Sequence, residues 1–109
     1  MQGLVRLIGT AEVPDGEGRR VQAAGGDYAV FNLGGVFYVT QNRCTHGPGD
    51  LGDCFVEGEE VECDFHQGRF HIPTGRPTAA PCTEPLRVWD VVVRDGAVWI
   101  DPAAGRVAA

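Results

Sequence analysis

Apolar side chains along this chain fall in short runs broken by Gly, Pro and Asp, and none keeps the period of an amphipathic helix. The pattern predicts strands joined by turns. Leu4 to Ile8 reads as a first strand, and Arg19 to Ala24 as a second, reached through the turn-like Pro14-Asp15-Gly16. Tyr28 and Val30 open a segment that runs through Leu33 to Gly34-Gly35 and returns over Val36 to Thr40. A Gly-Gly pair supplies the positive φ angles of a two-residue turn, so this is a hairpin. Leu86 to Arg94 is a long β-branched run, followed by Asp95-Gly96 and a return strand from Ala97 to Asp101, a second hairpin. Pro102 to Ala109 is small and featureless and reads as a mobile tail. No internal repeat or low-complexity stretch is present.

The stretch from Gln41 to Pro81 has a different texture. It is rich in Gly and Pro and holds all three histidines with Cys44, Cys54 and Cys63. Within it, Glu57-Gly58-Glu59 separates two apolar segments, Cys54 to Val56 and Val61 to Cys63, and a small hairpin there would bring the Cys44 and Cys63 loops side by side. The expected organisation is one domain over residues 1–109. Its β framework comes from residues 1–41 and 82–109, and a subdomain from residues 42–81 is inserted into it.

Composition narrows the classes. A chain of 109 residues suits one domain that buries a core without disulfides. Sixteen glycines and seven prolines agree with a turn-rich all-β fold. Nine basic against fifteen acidic residues leave a net charge of −6, which argues against a nucleic-acid partner. The same acidity suits a basic protein partner and also serves solubility. The first residues lack the basic start and apolar run of a signal peptide, and no apolar stretch is long enough to span a bilayer. A cytoplasmic location is therefore expected, where paired cysteines are more often metal ligands than disulfides.

Two short motifs carry the chemistry: Cys44-Thr45-His46 and Cys63-Asp64-Phe65-His66, with sixteen residues between His46 and Cys63. Each offers one thiolate and one imidazole from a tight loop. Thiolates are soft ligands that suit iron–sulfur clusters, and imidazole also binds iron. A structural zinc site could use the same ligand types. Its usual spacing pairs Cys with Cys and His with His, however, whereas each half here mixes the two. Colour and iron content separate these readings.

The paired motif resembles that of Rieske [2Fe–2S] proteins: Cys-x-His, a spacer of about this length, then Cys-x-x-His. Gly47-Pro48-Gly49, Gln67-Gly68-Arg69-Phe70 and Ala79-Ala80-Pro81 are similar to the cluster loops and proline loop of ferredoxins from bacterial ring-hydroxylating dioxygenase systems. The resemblance implies an antiparallel Rieske-like β sandwich or barrel with the cluster in the inserted subdomain. It also implies that Cys44 and Cys63 hold the inner iron, and His46 and His66 the outer iron near the surface. Respiratory members join their cluster loops by a disulfide at the positions of Gly49 and Phe65 here, so that bridge cannot form. They also place serine and tyrosine hydroxyls at the positions of Gly68 and Phe70. Hydrogen bonds to cluster sulfurs favour the reduced state, so their loss implies a potential toward the low end of a range beginning at about −150 mV.

The function implied is that of a one-electron carrier, and not of an enzyme in its own right. The donor would be a flavin-containing reductase, and the acceptor a terminal aromatic-ring-hydroxylating oxygenase. A mononuclear oxygenase iron needs two more histidines and a carboxylate, and only His71 is left. Two related readings stay open: an accessory subunit of the nitrite-reductase small-subunit type, or the ferredoxin of a diiron aromatic monooxygenase. A monomer suits a shuttle. His46 and His66, with Pro48, Gln67 and Pro81, would form an uncharged contact patch. Outside the motif, Cys54 and Cys82 read as buried apolar residues, His71 as a solvated or hydrogen-bonded strand histidine, and Trp89 and Trp99 as core.

Overall fold

The computed structural model describes residues 3–45, 47, 49–63 and 67–108, and beyond single 3₁₀ turns every regular element among them is a β-strand. In chain order these are β1 (Val5–Gly9), β2 (Glu17–Ala23), β3 (Gly26–Leu33), β4 (Val36–Gln41), β5 (Phe55–Glu57) and β6 (Glu60–Glu62). They continue as β7 (Arg69–His71), β8 (Pro77–Ala79), β9 (Arg87–Trp89), β10 (Val92–Arg94), β11 (Ala97–Ile100) and β12 (Arg106–Val107). Three antiparallel sheets result: β12-β9-β4-β3-β2, β1-β11-β10, and the meander β5-β6-β7-β8. No helix among the described residues is long and apolar enough to cross a membrane.

The three hairpins form where the turn residues lie. Gly34 and Gly35 take φ of +64° and +92° between β3 and β4, and Asp95-Gly96 takes +52° and +69° between β10 and β11. Gly58 at +59° turns β5 into β6. Each turn needs the left-handed region, which glycine enters without a Cβ clash.

Strand β3 organises the core because both of its faces are covered. Tyr28 and Val30 face Leu7, Val39, Val98 and Ile100, an apolar cluster shared with the three-stranded sheet. Ala29 and Phe31 face the other way, into a cluster with Leu51, Val61, Phe70, Ile72, Leu86 and all four cysteines. Consecutive residues Tyr28 to Asn32 are therefore buried, and the alternation of a half-exposed strand is lost. The second cluster roots the meander and the loops around Cys44 and Cys63 in the framework. Arg69, on β7, braces the meander by reaching Glu57 (2.8 Å), Glu62 (3.0 Å) and Glu60 (3.4 Å).

Four expectations need correction. The run Leu86 to Arg94 is not one strand: β9 pairs with β4 and β12, whereas β10 pairs with β11 in the other sheet. β-Branched residues favour strand throughout, but the chain changes sheets at Asp90-Val91, a corner of the sandwich. The described part of the tail is tied down. β12 pairs with β9, Trp89 Nε1 donates to the Pro102 carbonyl (3.1 Å), and Arg87 donates to the Gly105 carbonyl (3.1 Å). Both tryptophans are half-buried: Trp89 packs against the core, as expected, but each indole N–H reaches a backbone carbonyl near the surface. β2 also starts earlier than read, at Glu17.

Candidate metal centre

The Cys44 and Cys63 loops are built on one plan. In the first, Arg43 and Asp50 form an antiparallel bridge, and Cys44 N–H donates to the Gly49 carbonyl at 3.0 Å. In the second, Glu62 pairs with Arg69 across the β6–β7 hairpin, and Cys63 N–H donates to the Gly68 carbonyl at 2.7 Å. Each loop thus leaves an antiparallel pair, places a cysteine at its first corner and closes on a glycine five residues later. His46 and His66, with Pro48, Asp64 and Phe65, lie outside the described residues.

Both cysteines are buried, at 2% and 0% exposure, and all four cysteines are free of disulfides. The loops meet at Gly49, where a Cβ would stand 2.7 Å from Cys63 Sγ and 3.4 Å from Cys44 Cβ. Two soft sulfur donors therefore share a water-excluded seat kept open by a missing side chain. That donor chemistry and that space fit an iron–sulfur group.

A polar latch that sequence reading passed over holds the first loop. Asn42 is fully buried, donates from Nδ2 to Asp50 Oδ1 (3.0 Å) and accepts at Oδ1 from Gly52 N–H (2.9 Å). Its backbone carbonyl accepts from Leu51 N–H (2.7 Å). A buried amide with both ends satisfied fixes where the loop leaves β4. The one trace of it in the sequence is an amide side chain two residues before Cys44. Thr45 Oγ1 donates to the Glu84 carbonyl (2.7 Å), fastening the same loop to the segment after the proline loop.

The other candidates are also placed. Cys54 is buried and donates to the Asp50 carbonyl (3.1 Å). His71 Nδ1 meets Thr74 Oγ1 (2.8 Å) and its Nε2 meets Glu59 (3.3 Å), a hydrogen-bonded strand histidine. Cys82 is buried beside Cys44; its burial, then the charge and hydrogen bond of Cys44, push its thiol up to about 11. It is a buried residue of the core cluster, as expected. Gln67 is exposed in the left-handed region, with φ +59°, and Pro81 is half-buried. Among the described residues no group of three or more His, Cys, Asp and Glu side chains forms a further metal site.

Residues 3–90 match the Rieske [2Fe-2S] domain model. The ferredoxin component of the p-cumate 2,3-dioxygenase system of Pseudomonas putida is 42% identical over 103 residues, covering 93% of this chain and 87% of that protein. The solved Sphingomonas yanoikuyae B1 ferredoxin superposes with a TM-score of 0.86 at 42% identity, over 89% of this chain and 96% of that one. A chain in the complex of reduced oxygenase and oxidized ferredoxin in carbazole 1,9a-dioxygenase gives 0.85 at 36%, over 93% and 94%. An all-β fold with two cysteine loops closed over one buried seat defines an iron–sulfur protein of this architecture, and the chain belongs to the Rieske [2Fe-2S] family. It takes one Rieske-type [2Fe–2S] cluster.

Proposed function

We infer that this chain is the one-electron carrier of an aromatic-ring-hydroxylating dioxygenase system, passing electrons from a flavin-containing reductase to a terminal oxygenase. The observation that carries this reading is the matched pair of loops seating Cys44 and Cys63 against Gly49, in a chain similar throughout to dioxygenase-system ferredoxins. Cys44, His46, Cys63 and His66 would hold the cluster, the cysteines on the buried iron and the histidines on the outer one. When bound, the cluster supplies a one-electron couple whose potential follows its ligands, hydrogen bonds and exposure.

The protein's own residues do the rest. Asn42 and Thr45 hold the first loop, the β6–β7 hairpin holds the second, and Phe31, Leu51 and Phe70 keep water from the sulfurs. Exposed Gln67 and half-buried Pro81 would lie on the uncharged patch that an acceptor touches. Residues 42–81 act as the cluster-binding subdomain, residues 1–41 and 82–109 as its framework, and the carrier works in the cytoplasm.

An anaerobic reductive titration followed by electron paramagnetic resonance tests this reading, with reconstitution using a flavin reductase and a ring-hydroxylating oxygenase. A Rieske-type signal at clearly negative potential, with coupled product formation, is expected. The same signal at a positive potential, or reduction without transfer to any such oxygenase, would overturn the assigned place in the electron chain.

A further inference from the structure

Among the described residues Phe55 is the one exposed aromatic, at 57%. Strand β5 alternates, with Val56 turned toward the core and Phe55 and Glu57 turned out. The register of the meander sets Phe55 across from Glu62 and Glu57 across from Glu60, so one outward face carries a ring and three carboxylates. Arg69, across from Glu62, grips all three. Beside the ring lies a groove of about 320 Å³ between β2 and β5, the edge strands of two sheets. Gly16, Gly18 and Gly52 line it with backbone, and Glu17 and Asp53 with carboxylates. Arg19, the cation among its lining residues, is held by Glu17 at 2.9 Å. Groove and face together hold five carboxylates against two guanidinia, a charge of −3 around an exposed ring. This surface adjoins the cysteine loops. Glu62 precedes Cys63, and Cys54, just before Phe55, donates to the carbonyl of Asp50, which bridges to Arg43 beside Cys44. Phe55 therefore lies at the foot of both loops.

From this juxtaposition we propose that Phe55 and the adjoining groove extend the acceptor's docking surface sideways from the cluster loops, and that a basic segment of the terminal oxygenase seats a Lys or Arg side chain over the Phe55 ring. The proposal rests on the electron-carrier reading above. A cation over an aromatic face is attracted by the ring's quadrupole, and flanking carboxylates add to that attraction. Aromatic side chains that lose water on docking are also where interface energy concentrates. Val36, Val93 and Val107 are exposed too, but a valine offers no π face to a cation. The charge selects the occupant. An acidic segment would be repelled, and a purely apolar one would leave the carboxylates desolvated and unpaired.

Holoprotein carrying Phe55→Ala, Phe55→Tyr or Asp53→Asn is compared with the natural chain by stopped flow. Two steps are followed: reduction by the flavin reductase, and transfer to the ring-hydroxylating oxygenase of the reconstitution above. Both side chains are exposed, so the variants should keep the iron content, paramagnetic resonance spectrum and midpoint potential of the natural chain. Phe55→Ala should lower the second-order rate constant toward the oxygenase about tenfold, and Phe55→Tyr, which keeps the ring, should restore most of it. Asp53→Asn should slow the same transfer severalfold at about 10 mM salt and little at about 300 mM. Reduction by the flavin reductase should stay the same in all three. The proposal is overturned by an unchanged oxygenase rate in Phe55→Ala, by a loss that tyrosine does not restore, or by a loss as large in the reductase step. An Asp53→Asn profile equal to that of the natural chain at every salt concentration overturns it as well, and that variant decides alone should Phe55→Ala lose iron. The underlying reading fails separately: a natural chain that shows the Rieske signal when reduced, yet passes no electron to the oxygenase, sinks it before any variant is made.

Discussion

At Gly49 a hydrogen atom stands where any other residue would put a carbon 2.7 Å from the Cys63 sulfur. Real carbon–sulfur contacts are longer, so one of the two loops would have to move. Both are pinned, the first by Asn42 and Thr45 and the second by the Glu62–Arg69 pair. Gly49→Ala is therefore expected to keep the β fold and to lose most bound iron and sulfide, read by metal analysis and visible absorption beside far-ultraviolet circular dichroism. Full iron with an unchanged spectrum would show that the seat yields easily. Gly49 was legible beforehand as a glycine next to a ligand motif. Asn42 was not, because an amide in a polar stretch looks solvated until its partners, Asp50 and Gly52, are brought to it by the fold. Cys82 was read correctly as buried, but its place in the cluster that also holds Cys44, thirty-eight positions away in the chain, came only with the fold.

Strands β2, β3 and β4 end together beneath the first cluster loop, where charge ties them. Arg20 on β2 grips Asp27 on β3 with Nε and Nη2 at 2.9 and 3.1 Å, and the Asp27 carbonyl accepts from Asn42 N–H (3.1 Å). The Arg20 hydrogen bond holds the Asp27 carboxyl below its usual value of 3.8, against the opposing pull of desolvation. A carboxyl with a lowered folded-state value contributes stability that is complete above its unfolded value and disappears as pH falls through the folded one. Arg20→Met should thus destabilise the protein by a constant amount above about pH 4 and converge with the natural chain below it. Thermal unfolding of holoprotein across that range checks this, and a difference that persists at pH 2 would mean that Arg20 acts through packing. The pair is partly exposed, so the effect should be modest and reduced by salt. Hairpins were readable at this level because their turns demand residues that few other contexts tolerate. The break between β9 and β10 was not, since Leu86 to Arg94 has strand propensity throughout and only the presence of two sheets divides it.

Over the whole chain, negative charge is concentrated in the middle of the sequence. Residues 42–81 contain seven acidic and three basic residues, −4 of the total −6. Under the proposed function, such a distribution would steer a basic partner toward this part of the chain. The second-order rate of reduction of a terminal oxygenase by this protein should therefore fall as salt rises from 10 to 300 mM, with the spectrum unchanged. Over that interval the screening length shrinks from about 30 Å to under about 8 Å. A flat profile in stopped-flow measurements would mean that encounter is not guided by charge.

The chemistry was legible from sequence because the two halves of the motif are local: a cysteine and a histidine one or two residues apart can share a metal in almost any tight loop. Turns were legible for the same reason, since positive φ at Gly34, Gly35 and Gly96 is a property of the residue itself. Long-range choices came only with the tertiary structure. Folding set Ala29 and Phe31 against the meander while Tyr28 and Val30 faced the other sheet, and it ordered the tail by pairing β12 with β9. It also brought Asn42 to Asp50 and gathered Cys44 and Cys82 into one buried cluster. Each of those contacts is weak in isolation and joins segments whose approach depends on how three sheets pack, a cooperative outcome that no short stretch of the chain encodes.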